Sequence, residues 1–138
     1  MKNVAFVWLI LYFVCSSYAE ESSWDKLCFA ADKFVKAKSS DIKTNEKWSK
    51  KFKDKVEDRA DSTKLSFDQA AQSVVYDWMA GNENPLREKK EDTMIEVSRI
   101  FCWLHTNNID LPKMVRDNMG DKKMIDFAKY LEGQSEKK

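Results

Sequence analysis

Glycine, proline and histidine are scarce in this chain, whose 138 residues include three glycines, two prolines and one histidine. Because glycine and proline interrupt helices and form turns, their scarcity favours helices over strands. Charged residues make up 34% of the chain, as expected for helices with one solvated face. The composition therefore predicts an all-α fold.

Apolar residues recur at three- and four-residue steps, which is the spacing of amphipathic helices. Ser66 followed by Gln69 has the form of a capping box, and Gly120 marks a helix end. The predicted helices cover about 23–38, 44–60, 66–80, 85–107, a short stretch from about 110 to 120 and a last one through Leu131. We expect a compact bundle of about five to six amphipathic helices.

Long apolar runs are absent except near the start of the chain. Lys2 precedes an apolar run from Val4 to Val14, and Ser17 and Ala19 are small residues of the kind that signal peptidase accepts. The run is too short to span a bilayer as a helix. We therefore predict a signal peptide at 1–19, a helical domain at 20–132 and a polar tail at 133–138, in a secreted, extracellular protein without stable membrane insertion.

An excess of charge of one sign is also lacking. The chain has 24 Lys+Arg and 23 Asp+Glu, so loss of Lys2 with the signal leaves 23 of each. A balanced chain is poorly suited to general adhesion to nucleic acid, which needs surplus positive charge. We expect no nucleic-acid partner.

Two cysteines, Cys28 and Cys102, remain after Cys15 leaves with the signal. Disulfides form and persist outside the cell, so we predict that these two are bonded and staple the bundle. The alternative is a pair of free buried thiols.

Catalytic and metal-binding motifs are missing. The single histidine, His105, has no Cys or His three or four residues away, and no glycine pattern frames a nucleophilic serine. The three glycines are isolated, so no phosphate-binding loop is present. We expect no cofactor, no metal and no enzymatic activity. An enzyme would need a cleft that gathers His105 with an ionisable partner.

The densest positive charge lies in the second predicted helix, where lysines alternate with the aromatic residues Trp48 and Phe52. This candidate binding face, the lysine face, consists of Lys47, Lys50, Lys51, Lys53 and Lys55. It could engage an acidic patch on a protein or a heparin-like chain. The alternative is an ordinary solvated face of an amphipathic helix.

Methionines are concentrated in the last third of the chain. Met94, Met114, Met119 and Met124 lie there among aromatic residues, and flexible thioethers can line an adaptable pocket. They suggest an alternative function, a secreted carrier of a small hydrophobic ligand such as a fatty acid, haem or odorant-like molecule. Simple filling of gaps in the core is the competing interpretation.

A leader that ends Ser17-Tyr18-Ala19, an early segment Trp24–Cys28 and a later segment Phe101–Leu104 lie in a short all-helical chain with few cysteines. In this architecture the chain resembles the small salivary proteins of anopheline mosquitoes, the group that includes anophensin and albicin. The resemblance transfers no functional residue.

The resemblance implies a non-enzymatic salivary protein that inhibits a host plasma defence cascade by protein–protein binding. The partner would be a host plasma protein, either a component of the alternative complement pathway convertase or a factor of contact and kallikrein–kinin activation.

Overall fold

A computed structural model describes residues 21–137. The predicted signal peptide at 1–19 lies outside these residues. The described part contains six helices and no strand, so the all-α prediction is confirmed. The helices are α1 (Ser23–Lys38), α2 (Ile42–Thr63), α3 (Phe67–Gly81), α4 (Glu83–Arg87), α5 (Glu91–Thr106) and α6 (Lys113–Ser135).

Polar side chains fix the starts of the first three helices. The Ser22 hydroxyl accepts a hydrogen bond from the Asp25 amide at the start of α1, and Asp41 caps α2 in the same way. At α3 the predicted capping box is confirmed, because Ser66 and Gln69 satisfy each other's backbone amides. Each cap satisfies an amide that the helix itself leaves unbonded.

The predicted fourth helix, about 85–107, is wrong in one respect, because it is two helices. Lys89 adopts a left-handed conformation, with φ of 55°, and separates α4 from α5. The Lys89 ammonium lies 4.4 Å from the centre of the Tyr130 ring, an arrangement that favours a cation–π contact at this break.

The two predicted C-terminal helices form one kinked helix, α6. Gly120 has φ of 65° and ψ of 171°, so the helix is interrupted where the sequence places a break. Helix α6 continues through Gly133 to Ser135, so the first residues of the predicted polar tail are helical. Apolar contacts at Met124, Ala128 and Leu131 hold this half of α6 on the core.

The bundle core lies between α1, α5 and α6. Helix α1 packs most extensively against α6 and next against α5, whereas α2 and α3 form a helical hairpin beside them. Phe101 is buried in this core, with its ring centre 5.5 Å from that of Trp24 and 6.3 Å from that of Phe127. Edge-to-face packing of this kind favours a fixed arrangement of the three helices.

Aromatic contacts attach the α2–α3 hairpin to α5. The Phe52 ring meets the Trp103 ring edge to face at 4.9 Å. The Trp48 indole N–H donates to Glu96 at 3.1 Å. These contacts hold α2 at a fixed position against α5 and leave an open cleft near the start of α2.

The predicted disulfide is not formed in the structure, where Cys28 and Cys102 are free thiols. Their positions nevertheless face each other across α1 and α5. The Cys28 thiol donates to the Phe101 carbonyl at 3.7 Å, and the Cys102 thiol donates to the Cys28 carbonyl at 3.9 Å. Each thiol is therefore directed at a backbone oxygen of the opposite helix and not at the other sulfur.

Among residues 21–137, no helix combines the length and the apolar character needed to cross a membrane.

Candidate functional site

The lysine face lies on the outer side of α2. All five lysines are exposed, whereas Phe52 is buried and Trp48 is half-buried toward α5. The structure therefore places the aromatic residues and the lysines on different sides of one helix. Among the described residues, Lys53 is the one lysine of this face that pairs with a carboxylate, that of Glu57 at 3.8 Å.

The order of charges along α2 opposes the helix dipole. The first turn contains no acidic residue and the last turn no basic residue. Lys47, Lys50 and Lys51 lie in the first half of α2, whereas Lys53 and Lys55 lie in the second half with acids such as Glu57, Asp58 and Asp61. A helix dipole favours acids near the N-terminus and bases near the C-terminus. The positions of these lysines are thus not explained by stabilisation of their own helix.

His105 has an ionisable partner, Asp25, which sequence reasoning missed. The two side chains are 2.9 Å apart and join the start of α1 to the end of α5 across 80 positions of sequence. Hydrogen bonds from His105, and then from Ser22, hold the pKa of Asp25 below its usual value. Asp25 also lies in the first turn of α1, where the helix dipole favours a negative charge.

A small depression of about 200 Å³ adjoins this pair and is lined by Trp24 and Asn108. Within the described residues the His105 ring makes a hydrogen bond to Asp25 alone. A general base activates a nucleophile through a direct hydrogen bond. The His105 imidazole instead contacts a carboxylate and two aromatic rings, those of Trp24 and Phe29. The contact between Asp25 and His105 therefore links the start of α1 to the end of α5.

A larger cleft of about 750 Å³ opens between the end of α1, the start of α2 and α5. We call it the Arg99 cleft. Trp48, Trp103 and Ile42 contribute apolar walls, and Arg99 is the basic residue of α5 that lines it. Sequence reasoning missed this site.

None of the methionines that suggested a ligand pocket lines the Arg99 cleft. Met94 and Met124 are buried in the core, Met119 packs against it, and Met114 is exposed. The methionines therefore fill the core or reach solvent, and the cleft is formed by other residues.

The Cys102 thiol lies at the edge of the Arg99 cleft. Burial raises its pKa to about 12, and burial likewise raises the pKa of the Cys28 thiol well above its usual value. Both groups are consequently protonated at neutral pH. Protonated thiols are poor nucleophiles and poor metal ligands.

Residues 21–137 contain no group of three or more His, Cys, Asp or Glu side chains arranged to hold a metal ion. The chain matches no family model, no curated protein and no solved structure. The resemblance to anopheline salivary proteins stays a prediction.

Proposed function

We propose that this chain is a secreted, non-enzymatic salivary protein that inhibits a host plasma defence cascade by binding a plasma protein. The target belongs either to the alternative complement pathway convertase or to contact and kallikrein–kinin activation. The lysine face contacts an acidic patch on that target. Residues 1–19 act as the signal that directs the chain to the extracellular space.

The exposed lysine face is the observation that carries this proposal. Four of its five lysines, Lys47, Lys50, Lys51 and Lys55, form no ion pair within the described residues. None of these four lysines lies in the last turn of α2, where the helix dipole would stabilise a positive charge. Unpaired charges of one sign on a rigid helix steer an oppositely charged partner and increase its association rate.

Serum assays test the proposal directly. The mature protein at micromolar concentration should slow complement lysis of unsensitised foreign red cells, or slow contact activation of plasma. If both reactions proceed at their normal rates, the proposal is wrong.

We also propose that the secreted protein carries a Cys28–Cys102 disulfide. The two cysteines lie against each other, since the Cys102 sulfur is 3.9 Å from the Cys28 carbonyl oxygen. Exchange with an oxidised dithiol oxidoreductase of the secretory pathway would form the S–S bond and reduce the enzyme's own disulfide, so two electrons and two protons pass to it. The S–S bond would then replace the two weak thiol hydrogen bonds.

The Arg99 cleft favours a second candidate function, carriage of a small hydrophobic ligand. Its volume of about 750 Å³ falls within the range of about 300–1,000 Å³ that small-ligand sites occupy. Native mass spectrometry after incubation with lipid and haem mixtures should retain a bound ligand. Detection of the bare protein alone would exclude this second function.

A further inference from the structure

The orientation of the Arg99 side chain is fixed by neutral hydrogen-bond acceptors. Its Nε donates to Asn45 Oδ1 at 3.0 Å, and its Nη2 donates to Ser39 Oγ at 2.7 Å. Asn45 is itself held in place, because its amide nitrogen donates to the Ser39 carbonyl at 2.8 Å. The guanidinium is therefore positioned in the cleft before any ligand arrives.

The charge of Arg99 is not neutralised by its own helix. Arg99 is half-buried, and no carboxylate of residues 21–137 forms an ion pair with it. Glu96 lies one turn earlier on α5 but accepts the indole N–H of Trp48 instead. Removal of a cation from water costs free energy unless an opposite charge compensates it, so the half-buried Arg99 favours an anion in the cleft.

The acidic residues on the other walls of the cleft are either paired with a lysine or exposed to solvent. Asp32 on α1 pairs with Lys36 at 2.8 Å, and both side chains are largely exposed at the rim. Glu46 on α2 is exposed. Asp32 and Lys36 balance each other near solvent, and Glu46 is an exposed acid without a paired cation in the described residues, so Arg99 is the less exposed charge of the cleft.

Arg99 still has donors to offer. A guanidinium carries five N–H groups, and two of them are used by Asn45 and Ser39. The Nη1 hydrogens and one Nη2 hydrogen remain, an arrangement that matches the two oxygens of a carboxylate. Because one cation is unpaired, a monoanion neutralises it, whereas a phosphate monoester with about two negative charges would leave one uncompensated.

From this geometry we propose that the Arg99 cleft binds a small amphipathic monocarboxylate. The carboxylate accepts hydrogen bonds from Arg99, and the apolar chain lies against Trp48, Trp103 and Ile42. The proposal rests on the second candidate function, carriage of a small ligand, and is independent of inhibition through the lysine face.

Calorimetric titration of the mature protein with decanoate, 1-decanol and decyltrimethylammonium, each below its solubility limit, tests the head-group chemistry. Decanoate should bind about tenfold or more tightly than decanol, since hydrogen bonds between a guanidinium and a carboxylate are stronger than those to a neutral hydroxyl. The cation should bind weakest. This comparison uses the unaltered protein and needs no variant to fold.

Substitution of Arg99 tests its location. Arg99→Gln should weaken decanoate binding about tenfold or more and leave decanol binding unchanged. Arg87→Gln is the matched control, because Arg87 pairs with Glu83 on the exposed surface of α4, and it should bind decanoate normally. Circular dichroism would check that both variants are folded.

The possible results distinguish failure of the carboxylate proposal from failure of the proposed ligand-carrying function. Equal affinity for decanoate and decanol, or unchanged decanoate affinity in Arg99→Gln, would overturn the proposal that Arg99 binds a carboxylate. Carriage of a small ligand would then still be supported by the observed binding. Binding of none of the three molecules would overturn the inference together with carriage.

Discussion

Reduction of the proposed Cys28–Cys102 bond should cost this protein a large part of its stability. The two cysteines are 74 positions apart, and the loop-entropy relation for a ring of that size gives about 4.5 kcal/mol at 25 °C. Residual structure in the unfolded chain lowers such values, so we expect about 2 to 4.5 kcal/mol. Domains of this size have about 5–15 kcal/mol in total.

Urea unfolding of the secreted protein, followed by tryptophan fluorescence, measures this difference. The transition should move to lower urea when a reductant is present throughout. The double variant Cys28→Ala and Cys102→Ala is the matched control, and the reductant should leave its transition unchanged. Because burial raises the pKa of both thiols, the reduced native protein should react slowly with iodoacetamide and quickly once unfolded.

Mass analysis provides the refutation. If the protein released from secreting cells gains two alkyl groups under denaturing conditions without prior reduction, both thiols are free and the staple does not exist. An unchanged urea transition under reductant would contradict the entropy argument in the same way.

Three further predictions concern stability. Gly120→Ala should destabilise the protein by about 1–3 kcal/mol, since φ is 65° there. Gly133→Ala should be neutral or stabilise α6 by up to about 1 kcal/mol, because an added Cβ meets open space at both glycines and only Gly120 has a positive φ. Equal effects on the melting temperature would contradict the kink. Asp25→Asn should lose at most about 1 kcal/mol at pH 7. Because the folded-state pKa of Asp25 is lowered, this difference should start to shrink below about pH 4 and vanish once the pH is below the folded-state pKa. A difference that does not shrink at acidic pH would contradict a contact between the Asp25 carboxylate and His105. Ser98→Ala should be neutral or stabilising by about 1 kcal/mol in urea unfolding, because the Ser98 hydroxyl is buried without a hydrogen-bond partner in the described residues. A decrease of several kcal/mol in the free energy of unfolding would show that the hydroxyl forms a hydrogen bond.

The helices were largely predictable because the signals that define them are local. The first helix is observed at Ser23–Lys38, as predicted, and the Ser66 capping box starts α3. The break at Lys89 was not predictable, since a left-handed lysine between other charged residues has no sequence signature. The break at Gly120 was predictable, since glycine tolerates positive φ.

The candidate sites were less predictable because they depend on contacts between distant segments. Asp25 meets His105 across 80 positions, and Arg99 meets Ser39 across 60. One local signal for Arg99 existed, since it interrupts the half-buried row of Ile95 and Cys102 on α5. Such an isolated charge in a half-buried row indicates a partner elsewhere, but spacing alone does not identify that partner.

The central claim, inhibition through the lysine face, is tested most directly by paired charge reversal. Lys47, Lys50 and Lys51 would be replaced by Glu in one variant. In the control, the exposed Lys122, Lys123 and Lys129 of α6 would be replaced, which changes net charge equally. The three positions are exposed, and surface substitutions usually change stability little, so the first variant should remain folded.

Both variants and the unaltered protein would be titrated into the serum assay that the unaltered protein inhibits. We predict that the α2 variant needs about tenfold or more protein for half-inhibition, because reversal of close charge pairs costs well over 1.4 kcal/mol, while the α6 variant matches the unaltered protein. Equal potency of all three proteins would contradict the account.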